Sequence, residues 1–171
     1  MEPLTSIDII KSNNITFHQV EKQIHIKRIL NECSKLYTLF PNVVAKIISG
    51  QLNLVITEFI NGIPQLYKFV FRDGYPFKPP IVFYNNTLYS DILKINKYEI
   101  PIVKKLRGNS CLCCYSINCI DNWSPSITLL SFINEIKETL EIKKTIEKIL
   151  LVEKIEEKYD ISDANISSYL M

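Results

Sequence analysis

Apolar residues Ile26, Ile29, Leu30, Cys33, Leu36, Tyr37 and Phe40 recur at helical spacing, which predicts an amphipathic helix over roughly residues 21–40. Pro41-Asn42 ends it. The period then shortens. Val43-Val-Ala-Lys-Ile-Ile48 is rich in β-formers, and Leu52, Leu54, Ile56 and, less regularly, Phe59 alternate as a half-buried strand does. Asn61-Gly62 is a hairpin turn, because both residues tolerate positive φ. Tyr67-Lys-Phe-Val-Phe71 and Ile81-Val-Phe-Tyr84 are the next strands, separated by Tyr75-Pro-Phe-Lys-Pro-Pro80, whose prolines cannot donate to a ladder. Residues 85–110 are polar and mixed, with a short helical piece around 88–97. Ser124-Pro125 has the form of an N-cap followed by a first-turn proline. Ile127, Leu130, Ile133, Ile136 and Leu140 continue as a helical stripe, and a second amphipathic helix is expected from about 141 to 159. The predicted class is α+β: an N-terminal helix, a four-stranded antiparallel meander, then C-terminal helices.

A chain of 171 residues suits one domain able to bury about two-thirds of its unfolded surface. Residues 1–20 read as an arm, 21–160 as the core domain and 161–171 as a tail. Charged residues make up 22% and the net charge is +2, so composition offers no case for binding nucleic acid or a membrane surface. No apolar run approaches the ~18 residues that span a bilayer. Met-Glu-Pro-Leu-Thr5 does not begin like a signal peptide. The expected setting is intracellular, cytoplasm or nucleus, where thiols stay reduced.

That setting sharpens the meaning of Gly108–Pro125, which holds four of the five cysteines and the only tryptophan. Taken alone, the cysteines of such a loop can be small buried hydrophobes, and the proline-rich segment a rigid connector. Together, Tyr75-Pro-Phe-Lys-Pro-Pro80, Gly108-Asn-Ser-Cys111-Leu112 and Asn122-Trp-Ser-Pro125 resemble ubiquitin-conjugating enzymes, over roughly residues 22–140. The likeness is to YPFKPP, to G-x-[IV]-C-L around the active cysteine, and to W-S-P before the following helix. It is nearest to the divergent versions carried by large DNA viruses, in keeping with the abundance of Lys, Ile and Asn.

The resemblance implies a UBC-like fold and no cofactor. It implies that Cys111 carries ubiquitin, or a ubiquitin-like modifier, as a thioester and passes it to a lysine amine or another thiol. A thiol suits both halves of that exchange, as nucleophile and as leaving group. The implied partners are the modifier, an activating enzyme and a ubiquitin ligase. Phe77, Lys78, Pro125 and Ser126 fall where the family touches ligases; Lys22, Lys27 and Arg28 fall where it meets the activating enzyme. A solvated helix face accounts for those three basic residues equally well.

One family feature is missing. The His-Pro-Asn that precedes the active cysteine has no counterpart: Tyr89-Ser-Asp-Ile92 and Pro101-Ile-Val103 stand at the two candidate positions. An oxyanion donor is worth ~3 kcal/mol, about two orders of magnitude in rate, and Asn109 is the candidate replacement. Two alternatives follow. One is a catalytically inactive module that binds ubiquitin or a ligase. The other is a zinc-stabilised interaction domain built on Cys111, Cys113, Cys114 and Cys119. The spacing C-x-C-C-x4-C puts two ligands on adjacent residues and offers no clean pair of C-x-x-C knuckles, so no metal ligand is assigned.

Overall fold

The computed structural model describes residues 20–48 and 50–159, with side chains from His25 onward. The arm over 1–20, apart from Val20, the tail over 161–171 and the side chain of Lys22 lie outside the described residues. Helix α1 (Val20–Leu39) is followed by strands β1 (Asn42–Ile48), β2 (Gln51–Ile60), β3 (Ile63–Val70), β4 (Ile81–Tyr84) and β5 (Thr87–Leu88). Then come α2 (Tyr89–Ile92), α3 (Glu99–Arg107), a 3-10 turn (Cys113–Tyr115) and α4 (Leu129–Tyr159). The class is α+β.

The strands form one antiparallel sheet in chain order. Two cross-strand rows line its inner face: Val43, Ile56 and Tyr67, and Ala45, Leu54, Phe69 and Val82. All seven are buried, as the alternation of apolar residues in β2 requires. Phe132 of α4 packs edge-on against Phe69, and Ile29, Cys33 and Leu36 of α1, with Phe40 just beyond its end, complete the core. The exception is Phe59, which lies near the hairpin end and is exposed.

The sheet has five strands where the pattern predicts four. Asn85 and Asn86 both take positive φ (46° and 66°), making a two-residue turn that pairs Tyr84 with Thr87. This is the same device as Asn61-Gly62, which pairs Ile60 with Ile63 as expected.

The helical piece expected around 88–97 is a single turn at Tyr89–Ile92, and the substantial helix is α3. Its start is a capping box. The Asn96 Oδ1 accepts from the amide of Glu99 at 3.2 Å, and the Glu99 carboxylate accepts from the amide of Asn96 at 2.9 Å. Gly108, in the left-handed region at φ 77°, ends α3, its amide bonding the Lys104 carbonyl at 2.9 Å.

Two expectations for the C-terminal helices are corrected. Ser124 does not cap a helix: its Oγ pairs with Ser126 Oγ at 2.7 Å, and helix begins only at Leu129. Thr128 is the cap, its Oγ1 accepting from the Ser131 amide at 3.2 Å. There is also no break near residue 141. No glycine or proline interrupts residues 129–159, and α4 runs 31 residues, about 46 Å.

The start of α4 is fixed from α1. Arg28 and the buried Glu32 form an ion pair at 2.8 Å. Arg28 also donates to the Ile127 carbonyl at 2.8 Å, and Glu32 accepts from the Leu129 amide at 3.0 Å. The pair thus grips both sides of Thr128. A carboxylate at the first amide of α4 also complements the positive end of the helix dipole. No described helix is long and apolar enough to cross a membrane.

Candidate active site

The thiol loop hangs between two fixed points, Gly108 at the end of α3 and Trp123. Between them the chain makes successive tight turns. The amide of Ser116 bonds the Cys113 carbonyl, that of Cys119 the Ser116 carbonyl, and those of Asn122 and Trp123 the Cys119 carbonyl. Three side chains hold these turns in place. Asn109 Oδ1 accepts from the Cys111 amide at 3.3 Å. Asn122 Nδ2 donates to the carbonyls of Cys114 and Ser116 at 2.7 and 3.1 Å. Glu135, from the second turn of α4, accepts from Ser116 Oγ at 2.6 Å, from the Ile117 amide at 2.8 Å and from Tyr89 OH at 2.8 Å.

Glu135 is therefore the junction of the loop, α4 and α2. Glu135→Ala is expected to cost about 3 kcal/mol, since three donors lose an ionised acceptor. Glu135→Gln should cost less, because its carboxamide oxygen still accepts from the hydroxyls while its NH2 opposes the Ile117 amide. Urea unfolding of the two variants checks the order.

Trp123 closes the loop onto the proline-rich segment. Its Nε1 donates to the Pro76 carbonyl at 2.7 Å inside the core, and its ring stacks on Phe132 at 5.6 Å. The neighbouring Tyr75 carbonyl bonds His25 Nδ1 of α1 at 2.8 Å. Two consecutive carbonyls of the Tyr75–Pro80 segment are thus held, and the segment turns outward at Phe77, which is 65% exposed.

Cys111 is half-buried at a cavity of about 250 Å³ whose polar lining includes Arg107, Asn109, Ser116, Glu135, Glu138 and Thr139. Arg107 pairs with Glu138 at 3.4 Å across its rim. Hydrogen bonding from Cys114 first, then Cys113, holds the Cys111 thiol below its ordinary pKa, while the bond to Cys111 pushes Cys114 up to about 12. Buried Cys33 is pushed up to about 11 by desolvation. Cys111 thus ionises more readily than Cys114 or Cys33, and an ionised, accessible thiol is the reactive kind.

The structure brings Cys111 and Asn109 together and leaves Phe77, Lys78, Pro125 and Ser126 exposed on two loops joined by the Trp123–Pro76 bond. The basic face expected on α1 is changed. Lys27 is exposed, but Arg28 is turned into the network with Glu32 and Ile127.

The metal expectation also changes. Cys111, Cys113 and Cys114 have their Sγ atoms within 4.8 Å of one another, because the 3-10 turn brings the adjacent cysteines to the same side as Cys111. Cys119 does not join them; its thiol faces Asp121 Oδ2 at 3.9 Å. Sequence reasoning missed Ser116, Asn122, Glu135 and Tyr89, of which only Asn122 stands inside a motif.

No protein-family model, curated protein or solved structure matches this chain.

Proposed function

We propose that this chain is a ubiquitin-conjugating-type acyl carrier with a UBC-like fold and Cys111 as the thioester residue. The observation that supports it best is the Trp123–Pro76 hydrogen bond. The bond joins two of three segments that resemble one family, the Tyr75–Pro80 loop and Trp123-Ser-Pro125, and the third, the Cys111 loop, reaches the same core through buried Leu112. Cys111 sits where a bulky acyl chain could approach, half-buried beside an open cavity.

In loading, the Cys111 thiolate attacks the modifier's terminal carbonyl. A C–S bond forms, and the activating enzyme's thiolate leaves with its electron pair. In discharge, an amine attacks that carbonyl, Cys111 leaves as thiolate, and the amine gives up a proton. The carbonyl oxygen gains negative charge in both steps. Among the described residues Asn109 is the only carboxamide side chain lining the cavity; its Oδ1 accepts from the Cys111 amide, and its Nδ2, the group that would donate to an oxyanion, is directed to the Arg107 carbonyl at 3.5 Å. It supports the loop first, which is why thiol exchange should proceed more readily than lysine attack. The exposed Phe77 and Pro125 are the proposed ligase contact, and the exposed Lys27 the proposed contact for the activating enzyme.

Incubation with activating enzyme, ATP and a modifier, followed by a non-reducing gel, tests the reading. A thiol-sensitive adduct is expected, absent in Cys111→Ala and kept in Cys119→Ala. Discharge of the isolated adduct to free lysine should be about 100-fold slower than for a family member with His-Pro-Asn. No adduct with several activating enzymes and modifiers would sink the carrier and favour a binding module presenting Phe77 and Pro125. An adduct that survives Cys111→Ala but not Cys113→Ala would move the site.

A further inference from the structure

We propose that Cys111, Cys113 and Cys114 form a three-sulfur site for a soft, thiophilic cation, either Zn(II) with a solvent molecule as fourth ligand or three-coordinate Cu(I). The geometry is the first ground. Metal–sulfur bonds of about 2.3 Å at the tetrahedral angle put sulfur atoms about 3.8 Å apart. The three Sγ atoms already lie within 4.8 Å of one another, so a closure of about 1 Å or less, within reach of χ1 rotation, completes the site.

Exposure is the second ground. Cysteine that serves packing is buried, as Cys33 is at 1%. Cys113 and Cys114 are exposed and Cys111 half-buried, so the core gives no reason for three thiols to converge here. The third ground is a braced backbone. Asn122 holds the Cys114 and Ser116 carbonyls and Asn109 holds the Cys111 amide, so the thiols are presented by a loop that is already shaped.

The ligand set decides the class of ion. Among the described residues no His, Asp or Glu joins the three sulfurs, and an all-thiolate set selects soft ions over Mg²⁺ or Ca²⁺. Cys119 is turned to Asp121, which leaves a fourth position open. Binding converts three S–H groups to three metal–sulfur bonds and releases three protons to solvent. If Cys111 is also the acyl carrier, a consequence that rests on the preceding proposal, an ion held here occupies the nucleophile and blocks loading.

The test uses reduced full-length protein under anaerobic conditions, loaded separately with Zn(II) and with Cu(I) and desalted, with metal measured per chain. One equivalent of at least one ion is expected. Cys119→Ser should retain it. Cys111→Ser, Cys113→Ser and Cys114→Ser should each weaken it by more than the roughly 10–100-fold that loss of an outer-shell partner costs. Co(II) substitution should show thiolate-to-metal charge-transfer absorption that disappears in the same three variants. Circular dichroism of each variant keeps a folding defect from passing as lost binding. No retained metal, retention in a Cys113→Ser/Cys114→Ser double variant, or dependence on Cys119 would overturn the proposal. Loading with modifier is assayed in parallel on chelator-treated protein. Metal binding without thioester formation would refute the carrier alone, and thioester formation without metal binding would refute this site alone.

Discussion

Trp123→Ala should destabilise the protein by about 4 kcal/mol, in the range for deleting a buried aromatic. The indole is 8% exposed, stacks on Phe132 at 5.6 Å and 30°, and lies 6.2 Å from the Tyr75 ring. Its truncation opens a void between α4 and the Tyr75–Pro80 loop, and leaves the Pro76 carbonyl without its donor. Trp123→Phe is the milder change. It keeps one ring on Phe132 but loses the N–H, at about 1–3 kcal/mol for an unpaired buried carbonyl, together with the packing of the rest of the indole. Because Trp123 is the only tryptophan, unfolding must be followed by circular dichroism rather than indole fluorescence. A cost for Trp123→Ala near that of a surface change, within about 0.5 kcal/mol, would show that the indole does not bridge the two loops. If the carrier reading holds, both variants should also weaken ligase-dependent transfer more than loading, since the bond joins the loops that bear Phe77 and Pro125.

The sheet and α1 were legible because their signals are local and periodic. The apolar residues of β2 face inward in step with β1 and β3, and the α1 stripe is the one expected from helical spacing. Helix α3 was missed for a different reason. It buries only Ile102 and Val103, too few to make a periodic stripe, and is marked instead by its ends. Asn96-Lys-Tyr-Glu99 and Gly108 are start and stop signals that composition alone hides in a polar stretch. The early start assigned to the last helix followed a valid local rule at Ser124-Pro125. A tertiary contact overrode it: Glu32, nearly a hundred residues away, supplies an acceptor at Leu129.

The site divides along the same line. The thiols and Trp123 announce themselves by residue type. Their supports do not. Glu135 sits in a helix rich in Lys and Glu and looks like solvent-facing charge until the fold sets Ser116, Ile117 and Tyr89 against it. The direction of each thiol was equally hidden. Spacing argued against adjacent ligands, yet the 3-10 turn gathers Cys113 and Cys114 with Cys111 and leaves Cys119 out.

The same long-range logic makes Glu32→Ala the other large expected effect, at about 3 kcal/mol or somewhat more. Glu32 is 2% exposed and Arg28 23%. An exposed pair of this kind would matter little, ~0–1 kcal/mol, but removing one partner of a buried pair leaves an uncompensated charge and costs about 3–5 kcal/mol. Arg28 keeps the Ile127 carbonyl and some solvent, which places the cost at the lower end. The Leu129 amide adds its own loss, because Glu32 is the acceptor found for the first N–H of α4 among the described residues. Glu32→Gln retains an oxygen for that amide but loses the charge and turns its NH2 toward the Arg28 guanidinium, so it should fall between Ala and the parent. An Arg28→Met/Glu32→Leu double change should recover much of the loss, since it removes both charges together. Urea unfolding of the series measures the order, and hydrogen exchange at Leu129 locates it. In Glu32→Ala that amide should exchange by local fraying of the α4 start rather than by global unfolding. An Ala variant as stable as the parent would mean that Thr128 alone sets the start of α4, and that the α1 grip is a bystander.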